Sequence, residues 1–549
     1  MIRLLFNALK KLVLAESHAA RRLLLGLLLI AVALTGRNSS ALAKAADNPI
    51  VIENQQPGSS GWQLTLNSVS DATGQIKGYA SATSVNKGQS ITFYVSVNPA
   101  QSYSIDVYRI GWYQGLGGRL LQHIGPFNSV QQAPCPSDPT TGLITCNWVP
   151  AYTLSVPRSW TSGIYLAVLT NAQSYQNYII FVLRDDRRVA ALLYQQSVNT
   201  YQAYNNYPND GETGKSLYEF NSYGANTISG TTRAVKVSFD RPYTGSGAGD
   251  FLQWELYLVR WLERSGYDVS YSTDTDTHTS GSRLINYRGF LSVGHDEYWS
   301  KEMRDAAEGA RDAGVNLAFF GANAVYWQVR FEASGSGLAN RVIVCYKDAI
   351  KDPVQGATTT VLWRQAPVNL PEQALIGVQY TTQTQNNGYV SYVVTNSSHW
   401  VYASTDFGDG DSVPSIVGYE GDHQWSTFPL PNYVSGSYTL LSRSPYTNNR
   451  DQPDWANSSI YQAPSCAWVF AAGTIGWSWG LDNYENHSVA DSRIQQTTAN
   501  IINQFISSEI HHKKRHRRHD RDGCESGVRG RDVAHDDDDH DDDHDDDER

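Results

Sequence analysis

The chain has 549 residues and a formal charge of −11, from 43 Lys and Arg against 54 Asp and Glu. Aromatic residues make up 11 %, with 33 Tyr and 15 Trp, which excludes a disordered body, and the length asks for more than one domain. Residues 44–510 keep 28 basic and 38 acidic groups, so no basic face is available for nucleic acid.

Residues 1–43 read as a signal peptide. Lys10, Lys11, Arg21 and Arg22 precede the apolar run 23–34, and Ala41 and Ala43 supply small residues for cleavage. The run falls short of the ~20 residues that span a bilayer. A secreted, periplasmic or extracellular chain is expected, with no stable membrane span after cleavage. Export fits a local disulfide between Cys135 and Cys146, which bracket a loop containing Pro and Gly. Cys345 and Cys466 are candidates for a second pair, which leaves Cys524 over.

Residues 50–185 hold short runs rich in Val, Ile, Tyr and Phe (90–97, 104–110, 163–170, 178–183), separated by turn residues. The spacing predicts an immunoglobulin-like β-sandwich. The Gly-rich stretch 108–119 reads as strand, turn and strand, because no helical pattern follows it.

From residue 186 to 508 strands alternate with helices. Strands are predicted at 189–194, 268–271, 289–293 and 316–320, and helices at 250–265 and 300–313. Gly266 and Gly314 stand at the helix ends, and Ser300 at an N-cap. This pattern predicts a mostly parallel, glutamine-amidotransferase-like α/β domain. Residues 340–465 read as a β-rich insertion, after which a strand at 467–472 and a helix at 491–506 close the domain. The fold class is thus α/β plus β. Residues 511–549 carry seven of the fourteen His and runs of Asp, and predict a solvated, disordered tail with at most weak divalent-cation binding.

In open α/β sheets, ligands bind beyond the carboxyl ends of the strands. Two loops qualify: Gly294-His295-Asp296-Glu297-Tyr298 after strand 289–293, and Gly321-Ala322-Asn323-Ala324-Val325-Tyr326 after strand 316–320. GxSxG is absent, which disfavours a serine acyl-enzyme. HExxH is absent too, and only six His fall in the body, so a His-rich zinc site is disfavoured. Metal-assisted or carboxylate chemistry remains.

The segments YRIGWYQGLGGR, SFDRPY, GHDEYWS, GANAVYWQ, VGYEGD and WVFAAGT, in this chain order within residues 100–508, together resemble the large-subunit family of N,N-dimethylformamidase. The resemblance implies hydrolysis of a small amide by a chain carrying a mononuclear iron, held by two tyrosines and a glutamate. By motif position it implies Tyr298, Tyr326 and Glu420 as metal ligands. The family's small subunit is a separate chain. One departure is Asp296, which stands where the family loop has Pro.

Phenolate and carboxylate are hard donors suited to Fe(III). Around them Glu297, Asp296 and His295 are the candidate catalytic groups, with Asp482 and Glu485 further carboxylates on the same edge. His295 is equally readable as a cap on the following helix, and Asp296 as a complement to that helix's N-terminus. Asp240 and Arg241 read as an ion pair. The competing reading is a non-catalytic surface module whose Tyr and Trp bind glycans or a protein partner. The oligomeric state is left open.

Overall fold

The computed structural model describes residues 48–484, 489–507 and 524. The segment 1–43, Glu485 and the tail other than Cys524 lie outside these residues. Among the described residues no helix is long and apolar enough to cross a membrane.

A short helix, α1 (Pro49–Asn54), precedes nine strands: β1 (Asn67–Ser68), β2 (Ile76–Ala80), β3 (Ser84–Asn86), β4 (Ser90–Val97), β5 (Ser102–Ile110), β6 (Gly118–Asn128), β7 (Tyr152–Ser155), β8 (Gly163–Asn171) and β9 (Tyr175–Arg184). One sheet has the order β1-β9-β8-β5-β6 with β3 also on β9; a second is β2-β4-β7. Between them lies a core that includes Val95, Ile105, Leu169 and Phe181. Alternate residues on β8 and β9 (Leu166, Val168, Ile180, Val182) belong instead to a core shared with Leu258 and Leu262. Both faces of these strands are covered, so they read as continuous apolar runs rather than alternating ones.

The next segment contains β10 (Leu192–Gln196), α2 (Val198–Tyr204), β11 (Lys236–Ser238), α3 (Phe251–Trp254), α4 (Leu256–Arg264), β12 (Val269–Thr273), α5 (Asp274–Ser280), β13 (Gly289–Gly294), β14 (Tyr298–Ser300), α6 (Lys301–Asp312), β15 (Asn316–Gly321), β16 (Trp327–Glu332) and β17 (Val342–Val344). Beyond it come α7 (Gln373–Ile376), β18 (Gln379–Gln383), β19 (Tyr389–Val393), β20 (Ser412–Gly418), β21 (Glu420–His423), β22 (Thr439–Leu440), β23 (Ser444–Thr447), β24 (Pro453–Ala456), β25 (Ser459–Gln462), β26 (Trp468–Ala471) and α8 (Ser492–Ser507).

The main sheet has the order β12-β10-β13-β15-β26-β25-β22. Its first five strands run parallel, β25 is antiparallel to β26, and β22 is in turn antiparallel to β25. Side-chain alternation divides it between two cores. Leu291, Val293, Ala318 and Phe320 face α4 and α8. Phe290, Leu317 and Phe319 face Met303, Ala307 and Ala310 of α6. Residues 439–462, expected inside a β insertion, supply two strands of this sheet.

Ser300 caps α6 by accepting the Met303 N–H at 3.2 Å. Gly266 and Gly314 end their helices with φ of 73° and 97°, as their positions predict. The helix expected at 250–265 is two helices. The break falls at Glu255, whose buried carboxyl is drawn to the hydroxyls of Tyr194 and Tyr201.

Cys135 and Cys146 form the expected disulfide. The expected Cys345–Cys466 pair does not form: Cys345 is a free thiol in the core beside Val329 and Ile343, while Cys466 and Cys524 are both disulfide-bonded. Asp240 does not pair with Arg241 but with Arg341, at 2.7 Å. Neighbouring residues on extended chain point opposite ways, and Arg241 turns inward to the carbonyls of Asn205 (2.7 Å) and Lys215 (3.0 Å).

Candidate active site

The carboxyl ends of β10, β13 and β15 lie side by side, and each leads into a loop that brings polar side chains to one buried cluster. Gly294 and Gly321 are paired across β13 and β15. A Cβ on Gly321 would collide with the Gly294 carbonyl oxygen, so glycine is required for the two loops to leave the sheet this closely. The loops are then stitched together: the Val325 N–H donates to the Asp296 carbonyl at 3.0 Å, and the Tyr326 N–H to the Glu297 carbonyl at 2.9 Å. Asn323 and Val325 hold φ of 54° and 56°. For a β-branched valine that is a strained backbone, which packing has to enforce.

Glu297 is the hub. The Tyr204 hydroxyl donates to its Oε2 at 3.0 Å, and the Tyr218 hydroxyl reaches Oε1 at 2.8 Å and Oε2 at 3.1 Å. The two phenol rings stack with centroids 4.3 Å apart. Tyr204 closes α2, directly after β10, and Tyr218 follows in the loop beyond it.

His295 links this hub to a second carboxylate. Its Nε2 lies 2.9 Å from Glu420 Oε2 and 3.2 Å from Glu297 Oε2. Burial works against charge on the imidazole, but Glu420 and Glu297 outweigh it and hold His295 well above the usual histidine range. Burial likewise opposes ionisation of Glu297, yet His295, Lys347 and Tyr218 keep it below the ordinary carboxylate value. That direction favours a charged His295 between Glu297 and Glu420. Asn323 Nδ2 donates to Glu420 Oε2 at 3.2 Å, while its Oδ1 is buried without a partner among the described residues. Glu420 stands at the start of β21, where the Ile475 N–H meets its carbonyl, so the loop after β26 also supports it.

The expected ligands are distributed differently. Among the described residues no hydrogen bond or ion pair joins Tyr298, Tyr326 and Glu420 to one another. The Tyr298 hydroxyl donates to Tyr218 at 2.7 Å and receives Lys347 Nζ at 2.8 Å. Tyr326 packs its ring edge-on against Tyr380 under the Arg364 guanidinium, and burial pushes its phenol up to about 12. Of the three, Glu420 joins the central cluster through His295 and Tyr298 joins it through Tyr218.

Asp296 faces away from it. Its Oδ2 accepts from Ser292 (2.7 Å) and Gln195 (2.8 Å), and burial raises its pKa. The cap on α6 is Ser300, not His295. Asp482 is committed to Arg260 at 2.8 Å and Arg264 at 3.4 Å.

Three contributors escape the sequence motifs, Tyr204, Tyr218 and Lys347, while Asn323 stands inside GANAVYWQ. Position in the fold is the signal that finds the tyrosines, since they follow the strand next to β13. Among the described residues no group of three or more His, Cys, Asp and Glu is placed to hold a metal ion. A metal at this cluster would have to be held through the phenols. Tyr204, Tyr218 and Glu297 offer three convergent, hard oxygen donors, which suit a trivalent iron rather than a soft metal.

Comparison with known proteins places these residues in a family. The model of the C-terminal part of N,N-dimethylformamidase beta subunit-like proteins matches residues 104–489, which include every residue of the cluster. The N,N-dimethylformamidase beta subunit of an Alcaligenes species is 26 % identical over 444 residues, 67 % of this chain and 55 % of that protein. The corresponding subunit of Paracoccus aminophilus is 25 % identical over 221 residues, 34 % of this chain and 28 % of that protein. The chain thus spans about half the length, or less, of the curated relatives it matches. A solved structure, the mmIFT52 N-terminal domain, resembles 45 % of the chain at 11 % identity with a TM-score of 0.24, which carries no argument. The subunit matched is the beta subunit, where the sequence motifs pointed to a large subunit. The chain belongs to the N,N-dimethylformamidase beta subunit-like family.

Proposed function

We propose that this protein is an exported, iron-dependent hydrolase that cleaves the C–N bond of an amide. The observation that carries the reading is the convergence of the Tyr204 and Tyr218 hydroxyls on Glu297, one imidazole away from a second carboxylate, Glu420. The family's donor set of two tyrosines and a glutamate is assigned here to Tyr204, Tyr218 and Glu297, instead of Tyr298, Tyr326 and Glu420. Such an ion, when bound, supplies Lewis acidity toward a carbonyl oxygen and toward water.

The remaining chemistry belongs to the side chains. Glu420 has one oxygen engaged by His295 and Asn323, while Gln383 only approaches the other at 3.5 Å. That oxygen is free to take a proton from the attacking water. The same proton then passes to the leaving nitrogen as the C–N bond breaks, giving acid and amine. His295 lies between Glu297 and Glu420, where a proton on the imidazole would offset their charge as the reacting proton moves. Asn323 brings an amide with an unpartnered oxygen to the same spot, suited to orienting an amide substrate.

Fold and location complete the reading. The two sheets before residue 186 form an immunoglobulin-like sandwich, and the main sheet a glutamine-amidotransferase-like layer. The Cys135–Cys146 disulfide supports an oxidising compartment.

The test is release of amine from a panel of small amides, by wild type and by Glu420→Gln. Wild type is expected to turn over at least one amide, and Glu420→Gln to lose about 10²-fold or more while keeping its metal. Equal rates in the two proteins, or no amine released by iron-loaded wild type, would overturn it.

A further inference from the structure

We infer that the cavity where the sandwich meets α2 is a binding site for a small aliphatic carboxylate, held by Arg341 and Arg241. The cavity measures about 390 Å³. Its wall is built from β2 and β9 of the sandwich and from Val198 and Gln202 of α2. Tyr204, Tyr218, His295, Glu297 and Glu420 do not line it, so the inference stands whatever the buried cluster binds.

The charge of the lining is one-sided. Arg241 and Arg341 both line the cavity, and no acidic side chain does. Arg341 binds Asp240 through Nε at 2.9 Å and Nη2 at 2.7 Å, and its Nη2 also donates to the carbonyls of Ala80 and Phe239, each at 2.9 Å. Its Nη1 makes no hydrogen bond among the described residues, which leaves two N–H groups of a buried guanidinium without an acceptor. Arg241 has no carboxylate partner among the described residues. Four of its five N–H groups reach acceptors there, Gln202 Oε1 at 3.4 Å and the carbonyls of Asn205, Lys215 and Tyr207, and the fifth reaches none.

Carbonyls satisfy hydrogen bonds but bring no net charge, so this cation is buried without compensation. Burial lowers the Arg241 pKa to about 9, the direction an unpaired cation takes, and an anion beside it would reverse that shift.

The rest of the lining selects the anion. Ile180, Val198 and Phe239 present hydrocarbon, which suits a short aliphatic chain and not a hydrated inorganic ion. A carboxylate matches the planar fork of a guanidinium with two parallel hydrogen bonds. Ala82 is half-buried in the same wall, where a longer side chain would take the space of a ligand. A carboxylate bound there would tie the sandwich to α2, the helix that ends at Tyr204.

The experiment is equilibrium dialysis of full-length wild type, Ala82→Leu and Arg341→Gln against radiolabelled propionate at constant ionic strength. Ala82→Leu fills the cavity and leaves every cation in place, while Arg341→Gln removes the charge with the free N–H groups. Wild type is expected to bind about one more propionate per chain than Ala82→Leu. Arg341→Gln is expected to bind it at least ~10-fold more weakly, the loss of one charge-assisted contact. All three proteins carry the same buried cluster and the same tail, so propionate held there cancels. Equal binding by wild type and Ala82→Leu, or undiminished affinity in Arg341→Gln, overturns the inference. So does displacement of the extra propionate by an equal concentration of chloride, which would make the cavity a halide site. Circular dichroism reports the fold of each variant, and if Arg341→Gln does not fold, the difference between wild type and Ala82→Leu decides alone.

Discussion

Tyr218 meets Glu297 through both carboxylate oxygens, at 2.8 and 3.1 Å, although the two stand 79 positions apart in the chain. Neither residue explains the contact alone. Tyr218 lies in the loop after α2, and Glu297 in the loop after β13; the two loops meet because β10 and β13 are neighbours in the sheet.

The segment that carries Tyr204 and Tyr218 is held by a buried guanidinium that has no carboxylate partner among the described residues. Arg241 donates to the carbonyls of Asn205, Lys215 and, more distantly, Tyr207, and burial lowers its pKa to about 9. Replacing it with Met would leave these carbonyls unpaired in the interior. Arg241→Met is expected to cost on the order of 3 kcal/mol, measured by urea unfolding. A loss below about 0.5 kcal/mol would contradict the clamp.

Glu255 makes stability depend on pH. Burial raises its carboxyl from an ordinary value of 4.5 to about 8, against the hydrogen bonds from Tyr194 and Tyr201. The folded state thus keeps a proton that the unfolded state releases between these two values. Stability should fall as pH rises from 4.5 toward 8, with no further loss from this group above that. Glu255→Gln, which cannot ionise, is expected to flatten this part of the profile. Unfolding curves at pH 5 and pH 8 check it, and identical slopes in both proteins would refute it.

Gly321 is where the two site loops approach most closely. Gly321→Ala would drive a methyl into the Gly294 carbonyl and force β13 and β15 apart at the site. A destabilisation of about 1–3 kcal/mol is expected, together with weaker metal retention, because Glu297 moves with Gly294. Thermal unfolding and metal analysis report the two effects separately. Wild-type values in both would show that the glycine contact has no such role.

The local signals in the sequence served where they concern nearest neighbours. Ser300, Gly266 and Gly314 mark helix ends by their own backbone demands, and Cys135 and Cys146 close a short loop. The loop 294–298 was legible because it follows an apolar strand with four polar groups in a row. Long-range relations were not legible. Cys345 and Cys466 looked like a pair only by count, whereas Cys345 faces the core. Tyr298 and Tyr326 stood in motifs, yet two other tyrosines reach Glu297. With 33 Tyr in the chain, composition cannot select among them; the neighbouring of β10 and β13 does.

The most direct test of the site is the difference in bound iron and visible absorption between full-length wild type and Tyr218→Phe purified side by side. Both proteins carry the same His- and Asp-rich tail, so metal held there cancels in the comparison. The account predicts about one additional iron per chain in wild type, with a phenolate-to-iron band that the variant lacks. Equal iron content with no difference in the visible spectrum would contradict it.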